Sequence, residues 1–390
     1  MKTVLVLGGS GIFGGRVAAA LARTEGLCVV VTGRNAQRGA ANAARVGAEF
    51  LRCDLAESGS LETALATTAP DLLVHCAGPF QGNDYEVARA CLAAGVHYLD
   101  LADGREFVCG IGALDEEARK CRLVVGSGAS SVPTVTHAMI TELLPEFERI
   151  DELRLALAPG NQNPRGASTI GAVLGYLGQP QRVWIDGAWQ ERQGWGDRTR
   201  FSLPPSVGAR DVYNCEVPDL ELFPRVFGAR TVRFHAGLEL RVMNRALSCL
   251  RALRAACLLP RLDGCADLAR RLSLLLFRFG SKNGALAATV RGPSAKDGAT
   301  IERSIALVTD DDGPATPSSP SILLARKLLL GPGLPAGAYP CMGQLDLDEL
   351  LAYLEPLGIW CEAGSEGEWK RRGKKDAGRV SAPWAATGDP

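Results

Sequence analysis

The chain has 390 residues, with 43 Lys and Arg against 43 Asp and Glu, so its formal net charge is zero. Hydrophobic residues make up 46% and charged residues 22%, which gives enough apolar surface for a buried core and excludes global disorder. A balanced chain has no long-range field to gather polyanions, so nucleic-acid binding would need a local basic patch. At about 150 residues per domain, two domains are expected.

Twelve cysteines are scattered singly, with no C-x-x-C pair, as expected for reduced thiols of a cytoplasmic protein rather than a disulfide framework or thiolate zinc site. Four histidines, at 75, 97, 137 and 235, show no ligand spacing, so no metal is expected. After Met1-Lys2 the chain runs directly into Val4-Leu5-Val6-Leu7 and glycines, too short a run for a secretory leader.

Apolar runs at 4–7, 28–31, 50–52, 72–75 and 123–125 read as strands, continuous in Val and Leu as parallel strands covered on both faces are. Between them, 16–22, 37–45, 61–67, 85–93 and 114–120 carry Ala, Leu and Val at helical spacing. Strand and helix in alternation give a βαβ array, hence a doubly wound α/β domain over residues 1–125.

Gly, Ser and Pro cluster over 126–133, and a second α+β domain with a mixed sheet is predicted over 126–335. Its strands fall at 153–158, 183–185, 231–235, 285–291 and 301–309, with helices at 134–144 and 319–330. Residues 246–279, rich in Leu and Arg, read as two helices broken near Pro260 and Gly264. Arg251, Arg254, Arg261, Arg270 and Arg271 interrupt every run long enough to span a bilayer. Such a pair serves a core or dimer interface, or shelters an acyl chain or rests on a lipid surface. Residues 363–390, with Lys370-Arg371-Arg372 and Lys374-Lys375, read as a disordered tail, and the chain as a whole as no nucleic-acid binder.

Gly8-Gly9-Ser10-Gly11-Ile12-Phe13-Gly14 stands between the first strand and the first helix. Gly9-x-Gly11-x-x-Gly14 has the dinucleotide spacing. Without Cβ atoms the backbone turns sharply and approaches a pyrophosphate, which meets free N–H groups at the helix start. The second strand ends Thr32-Gly33-Arg34-Asn35, with no carboxylate for a ribose 2′-hydroxyl. Arg34, with Arg38 one turn further on, suits a 2′-phosphate, so NADP is preferred over NAD. Asp54, after the third strand, is placed to touch the adenine edge or to cap the following helix.

The fourth strand runs out into Cys76-Ala77-Gly78-Pro79-Phe80, at the carboxyl edge where open α/β sheets bind ligands, close enough for the nicotinamide ribose. A fifth strand in the run 95–104 brings Tyr98, Asp100 and Asp103, either as pocket groups or as turn-formers.

Those runs, together with Ala94-Gly95-Val96-His97-Tyr98-Leu99-Asp100 and residues 126–133, resemble the NADP-binding domain of the saccharopine dehydrogenase family. The resemblance implies a Rossmann domain, an inserted mixed-sheet domain, and a C-terminal segment at 336–362 that returns to the Rossmann unit. It implies hydride transfer to or from an imine, amine or enoyl-type small substrate by a homodimer. The chain departs from many relatives in having Ser131-Val132-Pro133-Thr134-Val135 where they carry an Asp shortly after the turn, which weighs against an amino-acid substrate. Groups for proton transfer or substrate orientation are Tyr98, Asp100, Asp103 and His137, with Arg165 for a carboxylate or thioester oxygen. The alternative is a non-catalytic homologue that keeps the dinucleotide pocket and acts as a membrane-associated or scaffolding protein through 246–279.

Overall fold

The computed structural model describes residues 1–259, 262–365 and 367–372. The chain divides into two units, Met1–Val135 with Pro314–Leu345, and Thr136–Gly313 with the residues from Asp346 onward.

The first unit begins β1 (Lys2–Leu7), α1 (Ile12–Ala22), β2 (Leu27–Gly33), α2 (Ala36–Val46), β3 (Glu49–Arg52), α3 (Ser60–Thr68), β4 (Leu72–His75), α4 (Glu86–Ala93), β5 (His97–Asp100), α5 (Arg105–Gly110), α6 (Asp115–Cys121) and β6 (Val124–Ser127). The second unit then runs α7 (Thr136–Leu143), β7 (Glu152–Ala158), α8 (Ala167–Tyr176), β8 (Pro180–Ile185), β9 (Ala188–Gln193), β10 (Thr199–Phe201), β11 (Arg210–Asn214), α9 (Asp219–Val226), β12 (Thr231–Ala236), α10 (Arg241–Ala255), α11 (Ala266–Leu275), β13 (Gly284–Pro293) and β14 (Thr300–Thr309). The chain re-enters the first unit with α12 (Ala315–Leu330) and β15 (Gly337–Pro340), and finishes in the second with α13 (Leu347–Leu354), β16 (Ile359–Ser365) and β17 (Glu368–Arg371).

The first sheet has the order β3-β2-β1-β4-β5-β6-β15, parallel throughout. Its central strand is apolar on both faces because helices cover both: Val4, Leu5 and Val6 have no exposed surface. Complete burial of one such side chain contributes about 1.5–3 kcal/mol. The register sets Leu7 beside Thr32 on one side and His75 on the other, and His75 beside Asp100. The strands therefore finish level at one edge, and the order reverses between β1 and β4, where open α/β sheets hold ligands.

The second sheet is mixed: β12 and β7 are parallel, and β13, β14, β16 and β17 continue it antiparallel. The turn between β8 and β9 is Asp186-Gly187, both at positive φ, the backbone a two-residue hairpin demands.

Three boundaries differ from the sequence reading. Residues 126–135 and 314–335 belong to the first unit, because β6 and β15 lie in its sheet and α12 packs on α1. Of the segment 336–362, only the part up to Leu345 does so; α13 and β16 join the second unit, where β16 pairs with β14. Residues 363–372 are not tail: β17 closes the sheet, and Arg372 pairs with Glu142 at 3.1 Å and Asp348 at 2.7 Å. Apolar Trp360 and Trp369 pack on the second core, which holds this edge despite its basic neighbours. Residues 373–390 and Pro260 lie outside the described residues.

Candidate functional site: the carboxyl edge of the parallel sheet

The loop between β1 and α1 is built by close backbone approach. Gly8 sits at φ 78°, and a Cβ there would lie 2.9 Å from the backbone nitrogen of Ala77 in the loop after β4. A Cβ on Gly14 would collide with the Gly8 carbonyl oxygen and stand 3.0 Å from the Cys76 Cβ. Gly11 caps α1 with no side-chain hydrogen bond, which leaves the first-turn N–H groups of an 11-residue helix for an anion. The Ser10 hydroxyl is sealed from solvent with no protein partner. A sealed orphan hydroxyl within a glycine cradle is what a dinucleotide phosphate would satisfy, so the residues present fit the cofactor that the sequence implies.

Ile12 and Phe13 form the first turn of α1, and the Ile12 carbonyl accepts from Arg16 at 2.8 Å. Thr32 is wholly buried and its hydroxyl reaches the Val6 carbonyl at 3.4 Å, so it ties β2 to β1 and does not face the loop. Gly33 lies against the Ser10 side chain. Asn35 is occupied as the N-cap of α2, its Oδ1 accepting from the Arg38 N–H at 2.8 Å. Arg34 and Arg38 are both exposed, and neither side chain has an ion-pair or hydrogen-bond partner among the described residues. Asp54 turns its Oδ1 back to the Ala56 N–H at 3.1 Å; it shapes a turn, while Gly59 caps α3.

After β4, burial pushes the Cys76 thiol well above its ordinary range, leaving it a neutral wall. Phe80 packs edge-on to His75 at 4.9 Å and against Phe107 at 5.4 Å, and fixes the Ala77-Gly78-Pro79 backbone at the sheet edge. His75 is buried and its Nδ1 lies 3.1 Å from the Tyr98 hydroxyl; burial pushes its pKa down to about 4, so the ring is neutral at physiological pH.

Tyr98 and Asp100 do not meet solvent. Tyr98 is wholly buried, its hydroxyl engaged by His75, and burial first, then Asp100, holds its pKa far above the usual range. Asp100 is also wholly buried. Its Oδ1 accepts from the Gly128 N–H at 2.7 Å, the Ala102 N–H at 2.9 Å and the Ser127 hydroxyl at 3.0 Å. Burial raises its pKa to about 6 although these donors pull the other way. The expectation that these two residues touch substrate is corrected: they brace the ends of β5 and β6, because a carboxylate at a sealed strand end serves the backbone first. Asp103 differs. It is partly exposed, its Oδ1 accepts from the Gln81 Nε2 at 3.0 Å, and burial raises its pKa.

His137 and Arg165 belong to the second unit. His137 lies on α7 with its ring 5.2 Å from Phe227, and desolvation pushes its pKa down to about 4. Arg165 bonds the backbone and side-chain oxygens of Asn161, the latter at 3.0 Å, so it braces its own loop. Sequence reasoning missed two buried polar groups, one in each unit. Thr134 donates to the carbonyls of Gly128 and Cys341 at 2.8 and 2.7 Å, and so ties the turn after β6 to the segment after β15. In the second unit Asp219 is wholly buried, its Oδ1 accepting from the Thr136 hydroxyl at 2.6 Å; burial raises its pKa to about 7. An Asp four residues after a Cys in a polar stretch carries no sequence signal for such burial.

A strand order that reverses at β1 and β4, a glycine cradle there and an uncapped helix start define a dinucleotide-binding domain of the Rossmann class. Residues 4–127 match the family model for the saccharopine dehydrogenase NADP binding domain. Over those residues the chain is similar to the dinucleotide-binding domain of that dehydrogenase family. Its fold over 94% of its length matches all of the apo, histidine-tagged, L-Glu-forming saccharopine dehydrogenase from Saccharomyces cerevisiae, with a TM-score of 0.68 and 16% identity. GenD2 of gentamicin A biosynthesis, solved with NAD, matches over 91% of this chain and 92% of its own at 15% identity. The TM-score of that match is 0.44. No curated protein sequence matches the chain.

Proposed function

We propose that the protein uses NADP in preference to NAD and transfers hydride to or from an imine, amine or enoyl-type small substrate. The observation that carries the preference is the end of β2, where Gly33 is followed by the exposed, unpartnered Arg34, with Arg38 a turn later and no carboxylate between them. Two guanidinium groups favour a 2′-phosphate, and a missing carboxylate removes the partner that a bare ribose would seek.

The nicotinamide, when bound, supplies or takes the hydride. The chain's own residues do the rest. Gly8, Gly9, Gly11 and Gly14 would admit the pyrophosphate, Ser10 would donate to it, and Ala77, Pro79 and Phe80 would limit water at the edge of β4. Asp103 is the proton carrier. Gln81 fixes its Oδ1, and a raised pKa lets its carboxyl keep a proton at higher pH than an ordinary Asp, as an acid that protonates a nascent amine or carbanion must. The test is NADPH consumption against a cyclic imine and against an enoyl thioester. Turnover in one arm that Asp103→Asn lowers about a hundredfold supports the reading; intact NADPH binding with no turnover in either arm favours the non-catalytic alternative.

A second reading concerns α11. Leu268, Leu272, Leu275 and Phe279 are exposed, Leu275 at 73%, while Leu250 and Ala269 pack inward near Trp195. Arg271 and Arg278, both exposed, flank that apolar strip. No helix among the described residues is long and apolar enough to cross a membrane. We propose that this strip rests on an anionic lipid surface, leucines in the acyl boundary and arginines among the headgroups. Flotation with phosphatidylserine vesicles should be lost in Leu272→Asp/Leu275→Asp; absence of flotation in the unmodified protein refutes it.

A further inference from the structure

The second unit holds an arginine-lined cleft that the dinucleotide chemistry does not use. It has a volume of about 650 Å³ and continues into a smaller hollow of about 260 Å³, the two sharing Arg198, Tyr213 and Arg245. Such a volume suits a small organic ligand. In a chain of zero net charge the local balance is uneven: Arg192, Arg198, Arg200, Arg241, Arg245 and Arg251 line the two hollows against Glu191, Asp197 and Asp211.

Much of that charge is uncompensated. Arg198 and Arg200, which flank the start of β10, share the single carboxylate of Asp211 at 3.2 and 3.4 Å. Arg192 is taken by Asp197 at 3.3 Å, and Arg251 by Gln193. Arg241 and Arg245 lie one turn apart on α10, exposed, with no partner among the described residues. Like charges at that spacing repel, so the pair costs stability until an anion joins it. The floor is rigid. Trp195 is stacked on Tyr213 with centroids 5.1 Å apart and an interplanar angle of 6°. Trp195 is 1% exposed and held at φ 61°, Asp197 is held at φ 47°, and the Trp195 Nε1 is buried without a partner. The orphan indole N–H is a donor that the protein itself leaves unanswered.

We propose that this cleft binds a small organic polyanion through its phosphate groups. A carboxylate is planar and satisfies one guanidinium fork, whereas a phosphate presents oxygens in several directions and more negative charge, matching forks that arrive from β10 and from α10. The site is separate from the reading of the glycine loop and stands or falls apart from it.

The full chain, saturated with NADP so that its dinucleotide loop is filled, is titrated calorimetrically with inorganic pyrophosphate, with citrate as the parallel anion. One pyrophosphate site is expected, weakened about tenfold or more in Arg241→Ala/Arg245→Ala and unchanged in Arg291→Ala on β13. Arg198→Gln gives an independent reading should the double variant lose its thermal transition. No pyrophosphate binding, equal binding by the α10 variant, an equal loss in Arg291→Ala, or tighter binding of citrate would each overturn the proposal.

Discussion

Gly8 and Ala77 bring the loops after β1 and β4 into backbone contact: a Cβ on Gly8 would lie 2.9 Å from the Ala77 nitrogen, at a residue already held at φ 78°. No side chain other than hydrogen fits without moving backbone. The same loop excludes a Cβ at Gly14, where it would strike the Gly8 carbonyl. Gly14→Ala is therefore expected to open the cradle, weakening NADPH at least about a hundredfold and costing about 1–3 kcal/mol of stability. Fluorescence titration and urea unfolding read the two effects separately. Unchanged binding would remove the glycine loop from the cofactor site.

Asp100 holds three donors on one oxygen, so its removal orphans the Ser127 hydroxyl and the N–H groups of Ala102 and Gly128 together. Asp100→Ala should destabilise the first unit by about 3 kcal/mol or more, since each buried unsatisfied group costs about 1–3 kcal/mol. If Asp100 touched substrate instead, the variant would keep its unfolding midpoint and lose turnover.

Asp219 gives a pH signature. Its folded pKa of about 7 lies above its ordinary value of 3.8, so the folded state keeps a proton that the unfolded chain releases. The stabilisation is complete below the unfolded value and is lost as pH rises through the folded one. Asp219→Asn, which stays neutral, should gain on the unmodified protein by about 1.4 kcal/mol per pH unit between about pH 4 and pH 7. Chemical denaturation at pH 5 and pH 8 measures the difference, and a pH-independent gap would show that Asp219 ionises normally.

Buried His75 and His235 act in the opposite sense. Each is pushed down to about 4 from 6.5, so the unfolded chain binds protons that the folded one refuses. Stability they contribute at neutral pH is lost as pH falls from about 6.5 to 4. His75→Gln should flatten the acid limb of the unfolding curve by about 1.4 kcal/mol per pH unit in that window.

The parallel sheet was legible where its strands are continuous apolar runs: 4–7 and 72–75 lie within the observed β1 and β4, whereas β15, Gly337–Pro340, has no such run. The second unit was less legible. Short polar strands such as Thr199–Phe201 carry little pattern, and α9 encloses Pro224, which argues against a helix until packing overrides it. The Asp186-Gly187 turn was a readable hairpin signal for β8 and β9. At the site, glycine spacing and Arg34 could be read from the chain. The engagement of Tyr98 and Asp100 could not, since it depends on His75, Gly128 and Ser127 arriving from other strands.

The proposed NADP preference rests on Arg34, exposed just past the end of β2. Dissociation constants for NADPH and NADH, measured side by side on the unmodified protein and on Arg34→Ala, decide it. NADPH should bind at least about tenfold tighter than NADH in the unmodified protein, and the variant should lose that margin by weakening NADPH alone. Tighter binding of NADH, or an NADPH constant untouched by the substitution, would contradict it.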